Sequence, residues 1–169
     1  MSANAQMELG SDFGLFIGAG LSYQSGKISN HSEFKQGGAI LDAGVVYKDN
    51  VEFNANLAVA HNPMLSFDVN GRTYLFPGWK LLYGAGYGIV FYDDERCGIV
   101  SEDGQVTELT ESGSIYWPHA NVGVIYGIND NMDLRIVGVI GYTEGIRYYG
   151  EEKNWHFVSQ IRASVVWNF

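Results

Sequence analysis

The stretch NWHFVSQIRASVVWNF, residues 154–169, decides the fold. One parity carries Trp155, Phe157, Ser159, Ile161, Ala163, Val165, Trp167 and Phe169; the other carries His156, Gln160, Arg162, Ser164 and Asn168. Successive side chains of a strand point to opposite faces, so this period of two predicts a long strand with one apolar face. A soluble barrel turns such a face inward, whereas a membrane barrel turns it toward lipid. The rest of the sequence chooses between them.

With 169 residues the chain has the length of one domain, and a single closed sheet of about eight strands uses that much. It holds 22 glycines and is 14% aromatic, a mixture that suits short strands and tight turns better than a helical bundle. A net charge of −9 without any basic run excludes a nucleic-acid role, which needs clustered Lys and Arg. Cys97 is the single cysteine, so no intrachain disulfide forms, and no metal site or cofactor is expected. No apolar run is long enough for a spanning helix, which leaves a membrane barrel open.

The same parity runs along the whole chain. Strands are predicted at 13–24, 38–48, 51–60, 64–76, 79–92, 114–128, 132–143 and 155–169, giving an all-β, eight-stranded antiparallel barrel over residues 12–169. The fourth carries Asn70-Gly71, readable as a bulge or as a hairpin tip, and is taken as one interrupted strand. Asp49-Asn50, Pro77-Gly78 and Asn129 to Asn131 mark short turns, while 25–35, 94–114 and 144–154 read as long polar loops, with the short Asn62-Pro63 connection as the exception at that end. Short connections at one end and long ones at the other is the layout of barrels whose short turns face the periplasm.

Three features turn the apolar face outward. That face carries almost no charge, whereas a soluble exterior needs Lys and Glu. The opposite face holds glycine, serine and asparagine with Asp42, Glu52, Lys80, Asp133, Arg135 and Arg162, which suit a paired charge network in a narrow lumen. Aromatic residues, among them Tyr23, Tyr47, Trp79, Phe91, Tyr116, Tyr142, Trp155 and Trp167, gather near strand ends, as two interfacial girdles require.

Val165 to Phe169, an alternating strand ending in Phe, resembles the carboxyl-terminal assembly signal of bacterial outer-membrane proteins. In architecture the whole chain resembles the small eight-stranded outer-membrane barrels of the OmpA and OmpX type. The resemblance implies a monomer in the outer membrane of a Gram-negative bacterium, surrounded by outer-membrane lipids and lipopolysaccharide, with Trp167 and Phe169 read by the outer-membrane insertion machinery. Residues 1–11, with Ala3-Asn4-Ala5 before Gln6, resemble the end of a secretory signal peptide and are expected to be a leader remnant.

Chemistry is less clearly written. His119, Thr143 and His156 fall on inward parities near the outer end and are expected to form a polar rim cluster, with general-base chemistry as the functional reading. The lipid A deacylases carry a His-x-Ser-Asn motif where this chain reads Gly141-Tyr142-Thr143-Glu144, which argues against deacylation. The lipid A palmitoyltransferases have a first-loop His, an adjacent Asp-Ser pair and strand-interrupting prolines. Here His31, Ser66, Asp68 and Pro118 resemble those features, although Ser66-x-Asp68 departs from the adjacent pair. That resemblance implies His31, Ser66 and Asp68 as catalytic residues. The acidic segment 94–113 reads as a solvated loop. A structural or surface-interaction barrel is therefore expected first, a lipid A acyltransferase second and a narrow channel third. Folding should require detergent or lipid and give heat-modifiable gel migration; a folded monomer in plain buffer would contradict the assignment of faces.

Overall fold

A computed structural model describes residues 12–27, 33–100, 106–144 and 155–169, with 93–100 and 106–112 described by backbone alone. Residues 1–11 and His31 lie outside it. The strands are β1 (Phe13–Lys27), β2 (Glu33–Tyr47), β3 (Val51–Val59), β4 (Met64–Phe76), β5 (Trp79–Val100), β6 (Val106–Asn129), β7 (Met132–Glu144) and β8 (Trp155–Asn168). Each pairs antiparallel with its sequence neighbours, and β8 returns to β1 to close the barrel. Residues 12–27 and 33–47 have alternating burial, as the sequence parity requires.

The short turns differ in detail from their sequence reading. Lys48 and Asp49 have φ of 48° and 58°, and Asn50 N donates to Tyr47 O at 3.1 Å, so the centre of the first turn lies one residue before Asp49-Asn50. Two left-handed residues match the twist of a two-residue hairpin, and an Asp tolerates that region better than most side chains. In the second, Pro77 precedes Gly78 at φ 80°, where only glycine avoids a Cβ clash. Asn70-Gly71 interrupts nothing: both residues keep partners in β3 and β5, and the irregularity lies instead between Tyr74 and Phe76.

Two expectations need correction. Residues 94–114 are not mainly loop: β5 and β6 stay paired up to Val100 and Val106, across one register shift between Tyr92 and Glu95. Beyond the membrane a ribbon needs no apolar face, so its acidic sequence hides the alternation. The inner face is also not purely polar. Phe16, Val46 and Val166 cluster at the periplasmic end, while Val90, Ile115, Trp117, Val139 and Val158 form part of a larger apolar layer toward the outer end. An eight-stranded barrel is just wide enough for side chains to fill, so inward positions obey core packing rather than channel solvation.

The exterior is apolar round the barrel. Ile17, Leu41, Leu57, Phe67, Tyr83, Val122, Ile136 and Ile161 are exposed on β1 to β8 in turn, and their environment is therefore hydrocarbon. Tyr47 packs on Phe13 and Trp79 on Tyr126 near the short turns, whereas Tyr87 stacks on Tyr116 and Tyr142 meets Phe157 toward the other end. Leu57→Arg, on the lipid face of β3, should cost ~2–4 kcal/mol in urea unfolding from lipid vesicles, while Val59→Arg at the end of that strand, nearer the interface, should cost only ~0–1 kcal/mol. Equal costs would contradict this membrane position.

Candidate functional site

The barrel axis carries two charge clusters built by inward positions of six strands. In the lower one, Glu52 of β3 is fully buried. It accepts from Arg72 Nε at 2.8 Å, from Arg72 Nη2, and from Arg135 Nη1 at 3.1 Å to each carboxylate oxygen. Asn70 Nδ2 adds a bond at 3.3 Å, and the Arg135 guanidinium lies 4.1 Å from the centre of the Phe16 ring.

In the upper cluster, Asp68 of β4 takes Arg162 Nη1 at 2.8 Å and Asn56 Nδ2 at 2.7 Å on one oxygen, and His119 Nε2 at 2.6 Å on the other. An ionised carboxylate only accepts, so that imidazole nitrogen donates. Arg162 also donates from Nη2 to Ser66 Oγ at 2.9 Å and from Nε to Gln160 at 2.7 Å. The β5 glycines make room for this: a Cβ on Gly86 would strike Asp68 and His119, and one on Gly88 would strike the Trp117 indole. The space beside these glycines is thus filled by Asp68, His119 and Trp117.

The ends of the barrel are fastened differently. At the periplasmic rim Lys80 Nζ donates to both Asp49 oxygens at 2.7 and 2.8 Å, and the Tyr74 hydroxyl donates at 2.5 Å. Partial burial pushes the Asp49 carboxyl up, but these donors outweigh it and hold it below its ordinary value. Asp133 accepts from Asn168 Nδ2 at 3.0 Å on the same rim. At the outer end Gln24 and Gln36 both donate to Asn62 O, at 2.9 and 2.8 Å, and Asn62 N donates to Gln36 at 3.0 Å. The β3–β4 connection is thereby drawn down onto the barrel mouth.

The positions singled out in the sequence separate into groups. Glu52, Arg135 and Arg162 join the two clusters, Asp42 is buried beside them, and Lys80 and Asp133 sit at the rim. His119 is engaged by Asp68 below, while the Thr143 hydroxyl donates to Tyr116 O at 2.8 Å and Thr143 stands opposite His156 in the β7–β8 ladder. Ser66 and Asp68 point into the lumen, each 3% exposed, and do not face the lipid surface. Arg72 escaped the sequence reading, whereas Asn56 and Gln160 lie on the polar parities of β3 and β8. Parity on an uninterrupted β4 would have found Arg72, since it shares a face with Ser66, Asp68 and Asn70.

A closed eight-stranded sheet with an apolar exterior and a filled interior defines a transmembrane β-barrel, and the fold is that of the small bacterial outer-membrane barrels. Neisserial surface protein A is similar at a TM-score of 0.64 and 14% identity, with 92% of this chain and 97% of that one covered. Ail, the attachment invasion locus protein of Yersinia pestis, is similar at 0.53 and 13% identity, with 94% and 99% covered. No protein-family model and no curated protein sequence matches the chain.

Removing one partner of a buried ion pair leaves the other charge uncompensated. Glu52→Ala, which strands Arg72 and Arg135, should therefore cost about 3–5 kcal/mol in equilibrium unfolding, against ~0–1 kcal/mol for Lys80→Ala at the solvated rim. Similar losses at both positions would show that the lumen is wetter than its burial implies.

Proposed function

We propose that the protein is a closed, non-conducting surface barrel whose working part is the β5–β6 ribbon held outside the outer leaflet to meet a cationic partner. One observation carries the reading. The interior is packed along its height, while β5 and β6 run on past their last pairs with β4 at Met64↔Val90 and with β7 at His119↔Gly141. From Tyr92 to Val100 that is roughly 30 Å of ribbon at a strand's usual rise. The segment 93–112 contains Asp93, Asp94, Glu95, Glu102, Asp103, Glu108 and Glu111 against Arg96 alone. Ail of Yersinia pestis has been solved with the heparin analogue sucrose octasulfate, an anionic ligand. The sign of charge on the present ribbon favours a partner of the opposite kind. The same reading takes Trp167 of β8 and Phe169 just after it, both exposed, as the signal recognised by the insertion machinery.

Acyl transfer on lipid A has one feature in its favour. Above His119↔Gly141 the β6–β7 backbone ladder stops, β6 following β5 and β7 following β8, and the seam is crossed there by the Thr143 hydroxyl on Tyr116 O. Pro118 has no backbone N–H to offer there. A groove of about 570 Å³ lies along the seam, lined by Tyr87, Tyr116, Pro118, Glu144 and Trp155 and reaching the inward-facing Ile115. Ser66 and Asp68 lie deep in the lumen, held by Arg162 and Asn56, and do not assist this second reading. The narrow channel, the third, would require the Trp117 layer to open.

Replacing 94–111 with Asn-Gly should leave the heat-modifiable barrel intact but abolish salt-sensitive retention on a polylysine surface. Lipid A mass spectra from cells with and without the protein should be identical. An added acyl chain, lost in His31→Ala, would replace the surface reading by the enzymatic one; retention by the truncated barrel would remove the ribbon's role.

A further inference from the structure

Between the two charge clusters lies a small polar centre that neither completes. Arg135 commits Nη1 to Glu52, but Nε and Nη2, the other edge of the same guanidinium, have no hydrogen-bond partner among the described residues, and the residue is 3% exposed. Asp42 is 4% exposed; it is hydrogen-bonded to Ser164, yet its Oδ1 has no partner among the described residues. Asn54 Oδ1 and Asn70 Oδ1 are in the same condition. All four side chains line one cavity of about 10 Å³ at the barrel centre, with Arg162 also at its wall.

We propose that this cavity is a water-binding site, in which one buried water accepts from the Nε/Nη2 edge of Arg135 and donates to Asp42 Oδ1, completing that charge pair at second hand. Size and chemistry both select the ligand. A cavity of roughly 10–15 Å³ on this measure takes one water, and a buried water ordinarily serves two to four polar groups. The site presents free donors and bare oxygens together, so its occupant must both accept and donate. Chloride would satisfy Arg135 but would face the Asp42, Asn54 and Asn70 oxygens with nothing to give. A sodium ion would suit those oxygens but would lie beside an arginine.

The position of the water also fixes how it exchanges. Above it stands the apolar layer of Val90, Trp117, Val139 and Val158. Toward the periplasm a vestibule of about 540 Å³ is lined by Lys48, Asp49, Arg72, Lys80 and Asp133. Between that vestibule and the centre stand the Arg72–Glu52–Arg135 bonds and the packed Phe16, Val46 and Val166, so the water is enclosed toward both ends and is not part of a path.

Crystals of the full chain, grown in chloride and then exchanged into bromide, test the site directly. We expect one density peak of water size within hydrogen-bond reach of Asp42 Oδ1 and of Arg135 Nε or Nη2, without an anomalous bromine signal. In lipid nanodiscs the Arg135 Nε–H resonance should show a cross-peak to long-lived water, and Asp42→Leu, which fills the cavity, should remove it. An anomalous signal at the site, a direct Asp42 to Arg135 contact without the peak, or a cross-peak unchanged in Asp42→Leu would overturn the proposal.

Discussion

The seam between β8 and β1 is the constraint on which the rest depends. In hydrocarbon an unpaired backbone N–H or C=O costs several kcal/mol, so a sheet survives there only if it has no edge. The pairs from Phe16↔Asn168 to Gly26↔Val158 remove the edge, and Phe169 N extends the closure to Leu15 O at 2.9 Å. Closing after eight strands sets the internal width at what side chains fill. Every inward residue must then either pack against an apolar neighbour or find a polar partner.

The interior answers that demand in layers. Toward the outer end Trp117, Val90 and Val158 pack as a soluble protein's core would. In the middle Glu52, Asp68 and Asp42 stand against Arg72, Arg135 and Arg162, an arrangement in which acids and bases balance without an ion from outside. Such pairs add little stability over a well-packed apolar filling, but each member is costly to lose. The network thus fixes which strands face which: Glu52 of β3 reaches Arg135 of β7 across the barrel, and Asp68 of β4 reaches Arg162 of β8. These bonds join strands that share no ladder.

A filled interior moves function to the surfaces. The lipid-facing band and its aromatic rims hold the barrel in place, and the short turns present the Lys80, Asp49 and Tyr74 group to the periplasm. On the opposite side the paired ribbon of β5 and β6 and the β6–β7 seam above the end of its ladder are the features that a minimal barrel would not need. Both lie where a partner or a lipid of the outer leaflet can reach them.

By itself the sequence determined the strand count, the antiparallel order and which face meets lipid, because those follow from a period of two and from the cost of charge in hydrocarbon. Asp42, Glu52, Arg135 and Arg162 were legible as lumen residues for the same reason. Only the tertiary structure decided who pairs with whom. Asp68 and Ser66, adjacent in parity on one strand, acquire meaning from Arg162, almost a hundred positions away, and His119 leaves its expected rim partners for Asp68. The apolar inner layer was hidden as well, since Trp117 and Val158 read as breaks in a polar face until closure brings them together. Parity is a local property of a strand, whereas contacts across a lumen depend on register and stagger, which the chain acquires only when β8 meets β1.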